Sequence, residues 1–321
     1  MRLSRTVLAI ALTVLVAMAP SACFASGRSI GDSTVAPSSG ALFGIYLQTG
    51  TRTIDEQKRQ VLAHESTNGR RYDLLHYYYG WNESFPTWRE TWWQDGGRIP
   101  LLSWAGPTTT NITNGSQDSV IDARARGLKA LGKPVLLRWF WEMDGSANLS
   151  RAVSPTAYKA AWRRIVSRFR AQGATNVEFV WCPTAWGFVS GEAPRWYPGD
   201  DVVDWTCADG YNWAPGKPGA EWRSLYTLLK PYYDWAVARP RPLMVGEFGA
   251  MEDPSWPGRK AQWLADARAA VKSAFPKIKA VVYFNGDGEE DRSYVWNVSS
   301  SSSARDTWRA WGLDSYYRTR F

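Results

Sequence analysis

Residues 133–145 read Lys-Pro-Val-Leu-Leu-Arg-Trp-Phe-Trp-Glu-Met-Asp-Gly. The stretch opens with a short apolar run, which is typical of a strand buried on both faces, and then changes abruptly to charged residues. Residues 241–250, Arg-Pro-Leu-Met-Val-Gly-Glu-Phe-Gly-Ala, have the same build, with an apolar run that ends on one carboxylate. Glu142 and Glu247 therefore each stand at the end of a predicted strand, and we interpret both as functional residues.

Side chains alternate between the two faces of a strand, so the first stretch also predicts which residues share a face. Arg138, Phe140 and Glu142 are expected on one face, and Trp139 and Trp141 on the other. This prediction assumes that the strand stays extended as far as the carboxylate.

Short apolar or aromatic runs recur along the chain and alternate with segments whose apolar residues have helical spacing. The predicted strands are 42–47, 74–79, 99–104, 135–142, 177–182, 203–211, 243–247 and 280–284. The predicted helices are 54–66, 120–131, 157–172, 222–237 and 259–274, with a short helix near 88–93 and a terminal helix from 304. Ser154 and Pro155 are typical of the N-cap and first turn of a helix, here the third.

Strands that alternate with helices form parallel βαβ units, and eight such units close into a single (β/α)8 TIM barrel of the α/β class. The chain of 321 residues is long enough for such a barrel, which commonly needs about 250 residues. An open doubly wound sheet is the structural alternative. Active sites of these barrels lie at the C-terminal ends of the strands, where Glu142 and Glu247 are predicted. No glycine-rich phosphate-binding loop follows a predicted strand, which argues against dinucleotide and NTPase functions.

The two ends of the chain predict how the protein is processed. Residues 1–25 have the basic start, short apolar run and small-residue cleavage site of an export signal, and the run is too short for a membrane span. We expect a secreted protein, with a cell-surface lipoprotein anchored at Cys23 as the alternative. Residues 26–40 are rich in Ser, Gly and Pro and predict a flexible linker before a catalytic domain over 41–321. The remaining cysteines, Cys182 and Cys207, are predicted to pair in an oxidising compartment.

Charge and histidine content exclude several classes of function. The formal net charge is +8, but Lys and Arg are scattered among acidic residues, which indicates a solvated surface and no nucleic-acid partner. The two histidines, His64 and His76, stand apart from a nucleophile and from other metal ligands, which argues against serine-hydrolase and zinc chemistry. We expect no metal and no cofactor. His76 either lines the site or makes a hydrogen bond within the barrel wall.

Carboxylate chemistry beside aromatic surfaces remains. The chain has 20 Trp and 15 Tyr, and aromatic faces with a polar edge suit sugar rings. Glycoside hydrolysis needs one protonated carboxyl group to protonate the leaving oxygen and one ionised carboxylate to attack or to activate water. Arg138 is expected to lower the pKa of one carboxylate and Tyr211 to donate to it; taken singly, either carboxylate could instead form a salt bridge in the wall. The predicted substrate-binding residues are Trp81, Trp104, Trp141, Trp186 and Trp213.

At these residues the sequence resembles glycoside hydrolase family 26, whose characterised members are mostly endo-β-1,4-mannanases, with some β-glucanases and xylanases. The resemblance covers about residues 42–311. Its markers are Gly80-Trp81, Pro100-Leu-Leu-Ser-Trp104, Arg138-Trp-Phe-Trp-Glu-Met-Asp-Gly145, Val180-Trp-Cys-Pro183, Tyr197-Pro-Gly-Asp-Asp-Val-Val-Asp-Trp205, Asp209-Gly-Tyr211 and Gly246-Glu-Phe-Gly249.

The resemblance implies a (β/α)8 barrel that hydrolyses a β-linked polysaccharide with retention of configuration. It implies that Glu142 is the general acid/base and Glu247 the nucleophile, and it matches Arg138 and Tyr211 to the family's supporting Arg and Tyr. The implied partner is a polysaccharide, with β-1,4-mannan as the first choice, and we expect a monomer. Transfer of the sugar to another sugar uses the same residues.

Two positions depart from the family pattern. Trp141 stands where family mannanases usually carry His; Trp is larger and has no acceptor nitrogen, so a β-glucan and a xylan are alternative substrates. A barrel that binds polysaccharide without cleaving it is the alternative function. Asp144 stands where Asn is frequent. An ionised Asp144 would raise the pKa of Glu142, and its alternative role is to cap the loop.

Overall fold

The computed structural model describes residues 33–50, 52–287 and 294–318. Eight strands each pair with the next along the chain, and the last pairs in parallel with the first, so that the sheet forms a closed barrel. The predicted (β/α)8 barrel is confirmed, and the open doubly wound alternative is wrong. The strands are β1 (Leu42–Leu47), β2 (Leu74–Tyr79), β3 (Ile99–Trp104), β4 (Val135–Trp139), β5 (Val177–Trp181), β6 (Trp205–Asn212), β7 (Leu243–Ala250) and β8 (Ile278–Asn285).

Helices pack around the strands through one continuous apolar cluster. The longest, α6, starts as predicted: Ser154 Oγ accepts a hydrogen bond from the amide of Ala157 at 3.2 Å, and Pro155 occupies the first turn. The helices are α1 (Ile54–Asn68), α2 (Trp88–Asp95), α3 (Thr109–Thr113), α4 (Asp118–Leu131), α5 (Leu149–Ala152), α6 (Pro155–Ala171), α7 (Ala185–Val189), α8 (Leu225–Ala236), α9 (Arg259–Ser273) and α10 (Ser302–Leu313), with 3-10 turns at Ala193–Trp196 and Ser315–Tyr317.

The barrel interior changes from apolar to polar along the strands. Leu74 of β2 and Leu136 of β4 belong to the apolar cluster inside the barrel. Two residues further along each strand, and therefore on the same face, are His76 and Arg138, whose Nε2 and Nη2 atoms lie 3.3 Å apart. The polar side chains thus gather toward the C-terminal ends of the strands, where active sites of this fold lie.

Residues 33–36 pack against the opposite end of the barrel. Ser33 Oγ and Thr34 Oγ1 donate hydrogen bonds of 2.6 and 2.7 Å to the buried carboxylate of Glu178, and Val35 joins the interior apolar cluster. A buried carboxylate requires such donors because it has lost its hydration. The prediction of a flexible linker over 26–40 is therefore wrong for residues 33–36.

The predicted export signal over 1–25, with Cys23, lies outside the described residues, as do residues 26–32. Within the part of the chain that the structure describes, no helix combines the length and the apolar character needed to cross a membrane. Export and lipid attachment therefore stay predictions.

Candidate active site

The loop after β4 places its side chains differently from the predicted strand. β4 ends at Trp139, because Phe140 and Glu142 adopt left-handed backbone conformations with φ of 48° and 50°. The Phe140 ring consequently packs against the rings of Trp139 and Tyr158. Its centroid lies 5.5 Å from that of Trp139 and 6.1 Å from that of Tyr158. Trp141 turns to the inside, so the predicted division of this segment into two faces is wrong beyond Trp139. Strained backbone of this kind is concentrated at functional sites.

A bulge in β7 turns the second carboxylate inward. Met244 belongs to the interior apolar cluster, so regular alternation would place Glu247 on the outer face of the barrel. The pairing with β6 skips Gly246, and Glu247 pairs with Asp209. The extra residue re-aims the following side chain, as bulges beside active sites do. The strand continues to Ala250, three residues past the predicted end.

Glu247 is held by three hydrogen-bond donors. The hydroxyls of Tyr78 and Tyr211 donate to its Oε1 and Oε2 atoms, each at 2.6 Å, and Arg138 Nη2 donates to Oε1. Burial, followed by the charge of Glu247, raises the pKa of each phenol well above the ordinary value for tyrosine. Both hydroxyls therefore keep their protons and remain donors. Together these donors hold the Glu247 carboxylate in one orientation. Tyr78 was not among the predicted site residues, although it shares a strand face with His76.

Arg138 is fully buried and is shared between two carboxylates. Its Nη1 atom donates to both oxygens of Asp209 at 3.1 and 2.9 Å, while Nη2 reaches Glu247. The Nε atom donates to Ser103 Oγ at 2.7 Å, so the guanidinium is satisfied on all its sides. A planar donor group held in this way has a fixed orientation. Neither Asp209 nor Ser103 was predicted as a site residue.

His76 lies within the barrel wall network and makes a hydrogen bond, one of the two alternatives left by the sequence. It is 2% exposed, and its Nε2 atom lies 2.6 Å from Ser103 Oγ. Burial, followed by the charge of Arg138, holds the pKa of His76 well below its ordinary value. The imidazole is therefore neutral, and its Nε2 atom lies beside Arg138 Nη2 at 3.3 Å.

Glu142 has a different environment from Glu247. Its backbone amide donates to the carbonyl of Cys182 at 2.8 Å, and its carbonyl accepts from Asn148 Nδ2 at 3.1 Å, which fixes the loop. Burial, the charge of Glu247 and the charge of Asp144 raise the pKa of Glu142 to about 8. Asp144 also accepts from Thr184 N and Oγ1 at 2.9 and 2.8 Å, so it both ties the loops after β4 and β5 and acts on Glu142.

A disulfide lies beneath these side chains. Cys182 and Cys207 are bonded between the end of β5 and β6, and Arg138 Nη1 is 3.7 Å from Cys182 Sγ. A Cβ atom added at Gly246 would lie 2.3 Å from Cys207 Sγ and 2.8 Å from Asp209 Oδ1. The bulged position therefore has no room for a side chain.

We expect Gly246→Ala to lower the free energy of unfolding by about 1–3 kcal/mol, the usual cost of overpacking a closed interior. Thermal unfolding followed by circular dichroism measures this. Gly80→Ala is a matched control, because its new Cβ atom would meet only Glu83 side-chain atoms at 3.6 Å, an ordinary contact. Equal melting temperatures for the two variants would contradict the proposed crowding.

The predicted substrate-binding tryptophans separate into buried and accessible residues. Trp104 is 0% exposed, stacks on Trp81 with ring centroids 4.1 Å apart, and donates its Nε1 proton to the Trp81 carbonyl. A side chain covered in this way cannot contact substrate, so the prediction for Trp104 is wrong; its role is to support Trp81. Trp186 and Trp213 are 61% and 39% exposed on the segments after β5 and β6.

Trp141 lies in the barrel mouth itself. Its ring centroid is 5.1 Å from the Tyr78 ring and 5.5 Å from the Arg138 guanidinium. Both neighbours contact Glu247, so the indole forms part of the wall beside that carboxylate. The structure brings Arg138, Trp141, Tyr211 and Glu247 into one cluster. Glu142 lies close enough for the charge of Glu247 to raise its pKa.

A (β/α)8 barrel with two neighbouring carboxyl groups at its C-terminal mouth, one of them with a raised pKa, fits the chemistry of glycoside hydrolysis. The model of glycosyl hydrolase family 26 matches residues 91–277, more than half of the chain. The chain belongs to glycosyl hydrolase family 26.

The names of similar proteins point to different substrates. Endoglucanase H of Acetivibrio thermocellus is 30% identical over 262 residues, which are 78% of this chain and 28% of that protein. The β-1,3-xylanase TXYA of a Vibrio species is 35% identical over 123 residues, 35% of this chain and 25% of that protein. The chain thus spans about a quarter of the length of these relatives. The family 26 β-mannanase of Bacteroides ovatus has the same fold, with a TM-score of 0.62, 17% identity and coverage of 87% and 90% of the two chains.

Proposed function

We propose that the protein is a retaining endo-glycosidase that hydrolyses a β-linked polysaccharide, with Glu247 as nucleophile and Glu142 as general acid/base. The observation that carries this proposal is the contrast between the two carboxyl groups. Glu247 accepts three hydrogen bonds, one of them from a guanidinium, whereas the pKa of Glu142 is raised to about 8. A carboxyl group with a raised pKa can serve as the acid, beside a second carboxylate that hydrogen-bond donors orient for attack.

The reaction follows from these two roles. An ionised Glu247 oxygen attacks the anomeric carbon, while Glu142 donates its proton to the glycosidic oxygen and the bond to the leaving sugar breaks. The product is a covalent glycosyl-enzyme. Ionised Glu142 then takes a proton from water, whose oxygen attacks the same carbon and releases Glu247. Two inversions at one carbon give net retention.

Arg138 and the two tyrosines keep the nucleophile ready for attack. They fix the orientation of the Glu247 carboxylate in a buried site, so that little reorganisation is needed as the covalent bond forms. Asp209 and Ser103 hold Arg138 in turn. These residues position the nucleophile and act through it.

For the substrate we place a β-glucan first and β-1,4-mannan second. Mannose carries its 2-hydroxyl axially and glucose equatorially, next to the carbon under attack. The indole of Trp141, beside Tyr78 and Arg138, forms part of the wall next to Glu247, the proposed nucleophile. An indole offers no acceptor for an axial hydroxyl and occupies more space than the imidazole of family mannanases. The similarity to Endoglucanase H over 262 residues favours the same order.

The substrate and the mode of cleavage are tested together. We expect the purified protein to convert mixed-linkage β-glucan into oligosaccharides of several lengths, faster than it cleaves mannan, β-1,4-xylan or β-1,3-xylan. Mass spectrometry identifies the products, and proton NMR of the first product should show the β-anomer if configuration is retained. The double variant Glu142→Ala/Glu247→Ala is the control.

The other outcomes are equally informative. If mannan is cleaved fastest, β-1,4-mannan is the preferred substrate, as the family resemblance implied, and our placing of a β-glucan first is wrong. Binding of one polymer without cleavage of any would support the alternative function, a barrel that binds polysaccharide without hydrolysing it. We also propose that the protein acts outside the cell, which a determination of the mature N-terminus would test.

A further inference from the structure

Two tryptophans on the loops after β6 and β7 have no part in the proposed reaction. Trp256 is 63% exposed in the segment between β7 and α9, and Trp222 is half-buried in the segment between β6 and α8. Large aromatic side chains exposed in this way are costly to leave in water and are enriched where a partner covers them. Both loops follow strands at the C-terminal end of the barrel, the end that holds Glu142 and Glu247.

An arginine holds the two indoles in one unit. The guanidinium carbon of Arg259 lies 4.2 Å from the ring centroid of Trp222 and 4.9 Å from that of Trp256. The carboxylate of Asp253 accepts hydrogen bonds from Arg259 Nη1 at 2.7 Å and from the backbone amide of Ser255 at 3.0 Å. The backbone carbonyl of Asp253 accepts one from the amide of Trp256 at 3.0 Å. Stacking and ion pairing therefore fix the loop, so that a ligand would meet a surface that is already ordered.

The segment that carries Trp222 is anchored at the strand end beside the catalytic mouth. Arg223, directly after Trp222, donates its backbone amide to Asn212 Oδ1 at 2.9 Å. Asn212 ends β6 next to Tyr211, which contacts Glu247. On the other side, the Arg223 guanidinium lies 5.9 Å from the Trp186 ring. The segment that carries Trp222 is thus anchored beside Tyr211, and Arg259 links Trp222 to Trp256.

We propose that Trp222, Arg259 and Trp256 form a distal platform that binds the polysaccharide chain beyond the sugars at the catalytic centre. The indoles would stack against the C–H faces of sugar rings, and the guanidinium would donate to hydroxyls. Asp253 neutralises Arg259, so the platform suits an uncharged polymer. The proposal rests on the proposed function for its choice of ligand, the same β-linked polysaccharide.

Affinity electrophoresis in gels that contain soluble mixed-linkage β-glucan tests the platform. We compare Glu247→Ala with Glu247→Ala/Trp222→Ala/Trp256→Ala, so that the polymer is not hydrolysed during the run. We expect the added substitutions to weaken polymer binding about tenfold, the scale of losing stacked aromatic anchors. With Glu247 intact, Trp222→Ala/Trp256→Ala should leave kcat/KM on a short cello-oligosaccharide unchanged.

Trp88→Ala is the matched control. Trp88 also carries an arginine against its ring, with Arg89 at 4.9 Å, but it lies on α2 across the barrel. Unchanged retention of the triple variant, or an equal loss in Trp88→Ala, would overturn the platform. Loss of self-association with unchanged polymer binding would also overturn it, because the surface would then contact protein. If the parent protein binds but does not cleave and the triple variant loses binding, the proposed hydrolysis fails while the platform stands.

Discussion

Glu247→Ala is expected to lower kcat for polysaccharide hydrolysis by about 10⁴-fold or more, the scale on which removal of a catalytic nucleophile acts. The substitution removes the carboxylate proposed as the nucleophile, and it leaves Arg138, Tyr78 and Tyr211 without their shared acceptor. Reducing-sugar release from mixed-linkage β-glucan, or from whichever polymer the parent cleaves, measures the effect. The melting temperature of the variant shows whether the barrel still folds.

Two further measurements make this result specific to the nucleophile. Azide can enter the vacated space and attack an activated glycosyl fluoride, displacing fluoride to give a glycosyl azide of inverted configuration. Glu192→Ala is the control, because Glu192 is an exposed carboxylate paired with Arg195, and its activity should match that of the parent. A folded Glu247→Ala variant that keeps a tenth of the parental kcat would show that another residue is the nucleophile.

Glu142→Ala is expected to lower kcat on polysaccharide by about 10²–10⁴-fold, the usual contribution of a general acid. The loss should be much smaller for the first step with aryl glycosides, whose phenols leave without protonation. The pH profile gives an independent test. Because the pKa of Glu142 is raised to about 8, its acid form persists through neutral pH, and kcat/KM of the parent should fall as pH rises through about 8.

That alkaline limb should disappear in Glu142→Ala. In Asp144→Asn it should move to lower pH, because removal of the neighbouring negative charge stabilises ionised Glu142. The pKa read from this alkaline limb belongs to the interacting carboxylates together. The comparison between variants is therefore what assigns the limb to Glu142. An unchanged alkaline limb in Glu142→Ala would mean that another group is the general acid.

The network beneath the nucleophile shows which functional residues sequence reasoning missed. Tyr78, Ser103 and Asp209 come from β2, β3 and β6. Two of them had a local signal, because Tyr78 alternates with His76 along β2 and Asp209 alternates with Tyr211 along β6. That Asp209 and Glu247 share one guanidinium is visible only when β4, β6 and β7 stand in one wall. The same holds for Trp104, whose burial beneath Trp81 depends on the packing of β3 against the segment after β2.

The barrel, the order of its elements and the two segments that carry the carboxylates, at β4 and β7, could be predicted from the sequence. These properties are local, because apolar spacing of two or of 3.6 residues is set by the geometry of each segment. The tertiary structure alone decided which side chains face the site. Left-handed backbone at Phe140 and Glu142 ends the alternation of β4, and the bulge at Gly246 shifts that of β7 by one residue. Neither break is stable in an isolated segment; each exists because barrel closure and packing across strands hold it.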